Sequence, residues 1–340
     1  MKSIRIWFDG LGTTFNMHSN FITDTLKKRY NVILDQKNPE YLFFSEASEH
    51  YLDYPCVRIF YTIENVVPDF NICDYGIASS LLQFDDRYIR YPLYLVDCYA
   101  PYRGDNYALD LLRAQHKHEN VESTCAEKTD FCAFVYSNQI AVKCREQFFY
   151  ALSDYKKVNS GGRFLNNIGG PVENKLDFQR RHKFVIAFEN SSTPGYTTEK
   201  IVHAFSAGAV PIYWGNPEIS REFNPESFID CNAMGLREDG DERIIQKIVE
   251  RVKEIDQNDV LYRKMLSTPA FTKENNVERQ NSAVEDFLFH IVEQDIGYRR
   301  NRFYIGERYE RRQRIGNAFY FQCRKLIPAR DVAKRVLGIR

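Results

Sequence analysis

The chain has 340 residues, 44% hydrophobic and 27% charged, a globular balance that excludes a disordered or fibrous protein and leaves room for about two domains. Its 46 Lys and Arg offset 46 Asp and Glu, so no net charge draws the whole molecule to nucleic acid or to an anionic surface. No stretch approaches the ~20 consecutive apolar residues of a transmembrane helix. The opening MKSIRIWFDG reaches Asp9 too early for a secretory signal, which makes the cytoplasm the expected location. Eight cysteines without C-x-x-C spacing are expected as free thiols. His116 and His118 read as a solvated pair and not as a zinc site.

In chain order, short β-rich runs at Ser3 to Phe8, Val32 to Leu34, Tyr41 to Phe44, Val57 to Thr62 and Tyr75 to Ala78 alternate with turn-forming or helical segments, the rhythm of a repeated βα unit. Between Tyr99 and Asp130 the pattern lapses into an interdomain region with one helix-like piece, Tyr107 to His118. A second series follows. Phe131 to Tyr136 reads as a strand, and Ala141, Cys144, Phe148, Ala151 and Leu152 recur at helical spacing. Phe184 to Phe188 is the next strand, Thr197 to Ala207 a helix, and Val210 to Trp214 a strand ended by Gly215-Asn216-Pro217. The expected organisation is residues 1–120, residues 121–297 and a tail, residues 298–340. Two parallel-sheet domains facing across a cleft would put helix N-termini at the cleft, where phosphate-bearing ligands bind.

The densest segment is Phe188-Glu189-Asn190-Ser191-Ser192-Thr193-Pro194-Gly195-Tyr196-Thr197-Thr198-Glu199-Lys200. Thr197 or Thr198 can cap the following helix, whose free N–H groups and dipole favour anions, and Lys200 adds a full charge. Glu199 could accept hydrogen bonds from ribose or sugar hydroxyls. The same residues also read as a capped surface helix carrying a Glu-Lys pair. Asp239-Gly240-Asp241 precedes a helical run, Glu242 to Ile255, so its aspartates read as N-caps and not as metal ligands.

The F-E-N-S, four residues, Y-x-T-E-K pattern, the following VPIYWG and the Ser227-Phe228-Ile229-Asp230 run resemble the donor-binding signature of the bacterial α1,3-fucosyltransferases of glycosyltransferase family 10, the Helicobacter type. The blocks around Arg58 to Asn65, Asp69 to Tyr75, Arg87 to Tyr94 and Phe131 to Asn138 with Arg145 resemble the same family. The similarity spans about residues 1 to 290. It implies a GT-B fold, two Rossmann-like α/β domains with parallel sheets facing across a cleft, the first receiving the acceptor and the second the nucleotide sugar. It implies inverting transfer of L-fucose from GDP-β-L-fucose to the 3-hydroxyl of GlcNAc or Glc in a glycan such as N-acetyllactosamine, in lipopolysaccharide or another surface glycan. Carried over by position, Glu64 is the general base and Arg145 and Lys200 are the cations on the diphosphate. Asn190, Tyr196 and Glu199 contact the donor, Glu199 in a ribose-binding role. Glu189 is a second carboxylate, an alternative base or a stabiliser of positive charge on the fucose ring. No cofactor is required, and a divalent cation would assist only loosely through the diphosphate. Alternatives are α1,4 or mixed linkage, another nucleotide sugar, or a non-catalytic glycan-binding protein on the same fold. Ile63 stands where some members have Gly, which bears on the acceptor side. The loops after Gly10-Leu11-Gly12 and around Tyr99 to Arg103 are expected to shape that side, and the Tyr-rich stretch from Arg87 to Arg103 is expected to line the cleft there.

The zero net charge hides an asymmetry. Residues 298–340 hold 13 basic side chains against Glu307, Glu310 and Asp331, interleaved with aromatic and aliphatic residues. Such a basic amphipathic tail reads as an anchor on anionic lipid, placing the enzyme peripherally on the inner face of the membrane. The alternative is that the tail docks on the acidic body of its own chain. No nucleic-acid partner is expected.

Overall fold

A computed structural model describes residues 1–96, 107–138, 142–294, 308–320, 322 and 323. Its first sheet has six strands: β1 (Lys2–Asp9), β2 (Tyr30–Leu34), β3 (Tyr41–Phe44), β4 (Val57–Tyr61), β5 (Tyr75–Ala78) and β6 (Tyr88–Arg90). All are parallel, in the order β2-β1-β3-β4-β5-β6. β3 and β4 are buried along their whole length, as strands covered on both faces must be. The order reverses at β1, with β2 on one side and β3 on the other, and ligands of such sheets bind beyond the strand ends at that point.

The second sheet repeats the device. It holds β7 (Asp130–Phe134), β8 (Val158–Ser160), β9 (His182–Phe188), β10 (Val210–Trp214) and β11 (Ile229–Asp230), parallel in the order β11-β10-β9-β7-β8. Its switch point lies between β7 and β9. The expected helix after β7 is α4 (Lys143–Tyr155), which buries Cys144, Phe148 and Leu152; Ala141 lies outside the described residues. α6 (Glu199–Ser206) follows β9. α7 (Glu242–Gln257) buries Ile245, Ile248, Val249, Val252 and Ile255 at helical spacing. Asp241 caps α7 by accepting from the Arg243 N–H at 2.9 Å, as its place before the helix leads one to expect.

Packing crosses the boundaries expected from the sequence. α2 (Tyr107–Gln115) packs on α6 of the second sheet's layer, tied by Ser206 Oγ to Asp110 at 3.1 Å. α9 (Val277–Glu293) returns to the first sheet, against α1 (Phe21–Lys27). There Tyr41 Oη donates to the Val292 carbonyl at 3.3 Å and Arg29 lies 3.8 Å over the Phe289 ring. Beyond Glu293, residues 308–320 form a helix docked on the first domain. Arg58 meets Glu310 at 2.9 Å, Tyr309 donates to Asp69, Arg314 pairs with Asp53 at 2.6 Å, and Asn317 donates to Tyr51 at 3.0 Å. Docking on the body therefore describes this part of the tail. No helix among the described residues is long and apolar enough to cross a membrane, and Cys73, Cys125, Cys132, Cys144, Cys231 and Cys323 are free thiols.

Candidate active site

A cavity of about 210 Å³ opens at the first switch point. Its walls are the loop Gly10 to Phe15 after β1, Ser45-Glu46 after β3, and Tyr61 to Glu64 after β4, so three adjacent strand ends build it. The loop after Gly10 walls this cavity, and Tyr99 to Arg103 lies outside the described residues. Phe15 packs on Phe8 with ring centroids 5.0 Å apart, giving the cavity an aromatic wall. Thr62 Oγ1 donates to Glu46 at 2.6 Å and accepts from the Glu64 N–H at 3.0 Å. The Glu64 carboxylate is exposed to the cavity and takes no hydrogen bond from any described residue. Partial desolvation by the walls and the nearby Glu46 raise its pKa, and Lys200 opposes them.

Of the tyrosines expected to line the acceptor side, Tyr99 and Tyr102 lie outside the described residues. Tyr88, Tyr91 and Tyr94 are buried. Tyr94 donates to Glu222 at 2.8 Å and Tyr91 to Asn281 at 2.9 Å. Their alternation follows the packing between layers, because an aromatic ring with a polar tip can be buried wherever its hydroxyl finds an acceptor.

Opposite lies the donor segment, at the second switch point. Thr198 is the cap of α6, and its side chain accepts from the Lys200 N–H. Glu189, the first residue after β9, is 0% exposed. It accepts from the Thr198 N–H at 2.8 Å, from the Thr198 hydroxyl and from Lys200 Nζ at 2.8 Å. Of the two roles expected for Glu189, this geometry counts against the base, since both carboxylate oxygens are engaged by Thr198 and Lys200 and the side chain fixes Lys200. Burial disfavours charge on Lys200, yet Glu189 and Glu199 hold its pKa above the ordinary value. Burial likewise opposes charge on Glu199, but Lys200 and Lys175 keep it ionised. Tyr196 is buried beside this group, where desolvation and Glu189 raise its phenol. Gly215 has no room for a side chain, since a Cβ there would lie 2.4 Å from Glu189 Cγ.

Arg145, in the first turn of α4, is 1% exposed and 4.3 Å over the Tyr136 ring. It donates to Asn190 at 3.1 Å and to the Asn138 carbonyl at 2.9 Å, while its buried Nε has no partner among the described residues. Two of the expected donor residues, Arg145 and Asn190, are thus in contact. Among the described residues no group of three or more His, Cys, Asp or Glu side chains could hold a metal ion.

Several residues not singled out from the sequence join the two halves. Asn65 Nδ2 donates to Ser191 at 2.7 Å and to Thr193 at 2.8 Å. Arg90 donates to the Gly195 carbonyl and to Glu222, both at 2.7 Å. Thr197 and Asn216 meet Glu222 from its own domain, and Asn216 accepts from the Gly195 N–H at 2.8 Å. Gly195 has φ +90°, and a Cβ there would lie 2.4 Å from the Ser79 carbonyl oxygen, so glycine is required twice over. Polar residues clustered after a strand signal such a loop, but nothing in a sequence pairs it with its clamp across a cleft.

Two parallel sheets, with Lys200 and Arg145 beyond one and an open carboxylate beyond the other, make up a GT-B fold. The profile of the alpha-(1,3)-fucosyltransferase FucT N-terminal domain matches residues 6–97, and that of the glycosyltransferase family 10 (fucosyltransferase) C-terminal region matches residues 125–288. The chain belongs to glycosyltransferase family 10. It is 36% identical over 233 residues to the alpha-(1,3)-fucosyltransferase FucT of Helicobacter pylori, covering 61% of this chain and 48% of that protein, so it spans about half that relative's length. It is 25% identical over 168 residues to an alpha-(1,4)-fucosyltransferase of Arabidopsis thaliana, covering 43% of this chain and 39% of that protein. An α1,3-fucosyltransferase crystallised with GDP-fucose superposes with a TM-score of 0.68 at 27% identity, covering 88% of this chain and 93% of that one.

Proposed function

We propose that this protein transfers L-fucose from GDP-β-L-fucose to the 3-hydroxyl of a GlcNAc or Glc unit, with inversion, in assembly of a surface glycan. The observation that carries the reading is the open Glu64 carboxylate, lining a cavity at one switch point and followed by Asn65, which bonds Ser191 and Thr193 of the donor segment at the other. Family membership and the likeness to an enzyme crystallised with GDP-fucose support the donor.

In the reaction the acceptor oxygen attacks the anomeric carbon, and its proton passes to Glu64. The C–O bond to the diphosphate breaks and GDP leaves with the electron pair. Lys200 and Arg145 neutralise the charge that grows on the diphosphate, a contribution of about 10²–10³ in rate for each well-placed donor in comparable sites. Asn190 keeps Arg145 in place. The dipole at the start of α6 favours the same anion.

The test is transfer from GDP-fucose, GDP-mannose and UDP-sugars to type 1 and type 2 disaccharides, with the product linkage read by NMR. Turnover only with GDP-mannose or a UDP-sugar would overturn the donor, and glycan binding without any turnover would favour a non-catalytic role. Similarity to an α1,4 enzyme makes α1,4 linkage the second reading.

The peripheral membrane location belongs to the same proposal. In the helix at 308–320 the polar residues Tyr309, Glu310 and Asn317 face the body, while Arg308, Arg311, Arg312, Ile315 and Phe319 are exposed. Ile315 is 68% and Phe319 70% exposed. This inverts the usual amphipathic order and suits an anionic lipid surface. Replacing Arg311 and Arg312 with Glu should weaken salt-sensitive binding to anionic vesicles; unchanged binding would remove the anchor.

A further inference from the structure

The acceptor cavity holds a second carboxylate that the transfer chemistry does not use. Glu46 lines the same wall as Glu64, and the two are linked through one hydroxyl. The single Thr62 proton goes to Glu46 Oε2, and the Thr62 lone pair takes the Glu64 N–H. Glu46 is therefore held at one oxygen, while its Oε1 accepts from no described residue. Two like charges beside one cavity repel. A ligand with two neighbouring hydrogen-bond donors relieves this, because a carboxylate only accepts. Phe15, fixed on Phe8, offers an apolar face to the flat side of a ring.

We propose that Glu46 is an acceptor-specificity residue, accepting a hydrogen bond from the N–H or O–H on C2 of the sugar whose 3-hydroxyl Glu64 deprotonates. The assignment rests on the acceptor reading given above. In a sugar already substituted at O4, C2 carries the donor that neighbours the reacting oxygen, so Glu46 and Glu64 read adjacent positions of one ring. A site built around a substrate donor discriminates strongly against the analogue that lacks it.

The test compares a Galβ1,4GlcNAc acceptor with its 2-deoxyglucose counterpart, using wild-type enzyme, Glu46→Gln and Glu46→Ala. On the first acceptor Glu46→Ala should lower kcat/KM at least about tenfold, mainly through the acceptor KM, with the KM for GDP-fucose unchanged. Glu46→Gln, which keeps a carbonyl acceptor, should recover part of the loss. On the 2-deoxy acceptor the wild type should already be slow, and Glu46→Ala should change it less than about twofold. Equal losses on both acceptors would overturn the proposal and leave Glu46 acting only on Glu64. Wild-type product linked elsewhere than at O3 would overturn the acceptor reading itself, and the C2 assignment with it.

Discussion

The side-chain amide of Asn65 lies 2.7 Å from Ser191 Oγ and 2.8 Å from Thr193 Oγ1, so the residue next to the proposed base holds the donor loop of the opposite domain. Base and donor segment are thereby placed by one side chain. Asn65→Ala removes two neutral hydrogen bonds, and a loss of about 1–2 kcal/mol corresponds to roughly 5- to 30-fold in kcat/KM for the donor. Steady-state kinetics should show this with little change in thermal stability, because Arg90 still joins the domains. Combined with Thr193→Val, the effects should be less than additive. Simple additivity would remove the link.

Lys200 has two jobs, countering buried Glu189 and meeting the diphosphate, and they can be separated. Lys200→Met leaves a wholly buried carboxylate without its cation, which should destabilise the protein by about 3–5 kcal/mol. Adding Glu189→Gln removes the stranded charge, and urea denaturation should then show most of that stability restored. GDP affinity measured by calorimetry should stay weak in both variants. Recovery of GDP binding in the double variant would show that Lys200 acts only on Glu189.

Much of this fold was legible because strands covered on both faces leave apolar runs. FCAFVY, FVIAF and VPIYW mark β7, β9 and β10 to within a residue or two. β6 and β8, three residues each, are too short to show a period and escaped notice. The resemblance brought the donor residues together, and Arg145 and Asn190 do touch. It gave the base role to Glu64 and left Glu189 as an alternative, since both follow strands and burial is a property of the whole packing. Glu46, Asn65 and Glu222 stand in short polar stretches whose partners lie 16, 126 and 132 positions away, distances that no local pattern spans.

The pKa of Glu64 has a predictable sign. Burial first, then Glu46, with lesser contributions from Glu199 and Glu189, raise it, while Lys200 lowers it. A base must be ionised, so the acidic limb of the kcat/KM profile should lie above the ~4.3 of a free glutamate. Glu46→Gln should move that limb to lower pH and Lys200→Met to higher pH. The same shift bears on stability. A carboxyl whose folded pKa is raised stabilises the fold below its unfolded pKa and loses that contribution as pH rises through the folded value. Glu64→Gln should therefore melt higher than wild type at pH 7, with the advantage gone below about pH 4. A variant no more stable at pH 7 would mean that Glu64 is not strained by its neighbours.

The tail helix meets the body through two ion pairs of different kinds. Arg58 is 3% exposed and donates to the Tyr54 and Ile72 carbonyls at 3.1 Å, so its guanidinium is fixed before the tail arrives, and Glu310 supplies the carboxylate at 2.9 Å. Arg314 and Asp53 pair at 2.6 Å, but their side chains are 49% and 56% exposed. Screening by water and salt leaves an exposed pair worth about 0–1 kcal/mol. Removing the partner of a buried charged group costs about 1–3 kcal/mol. Glu310→Ala should therefore lower the melting temperature and open the 308–320 segment to limited proteolysis at any ionic strength, while Asp53→Ala should do little beyond what 0.5 M salt does to the wild type. If both variants behave alike and both effects vanish in salt, the helix is held by surface attraction and not by the buried Arg58.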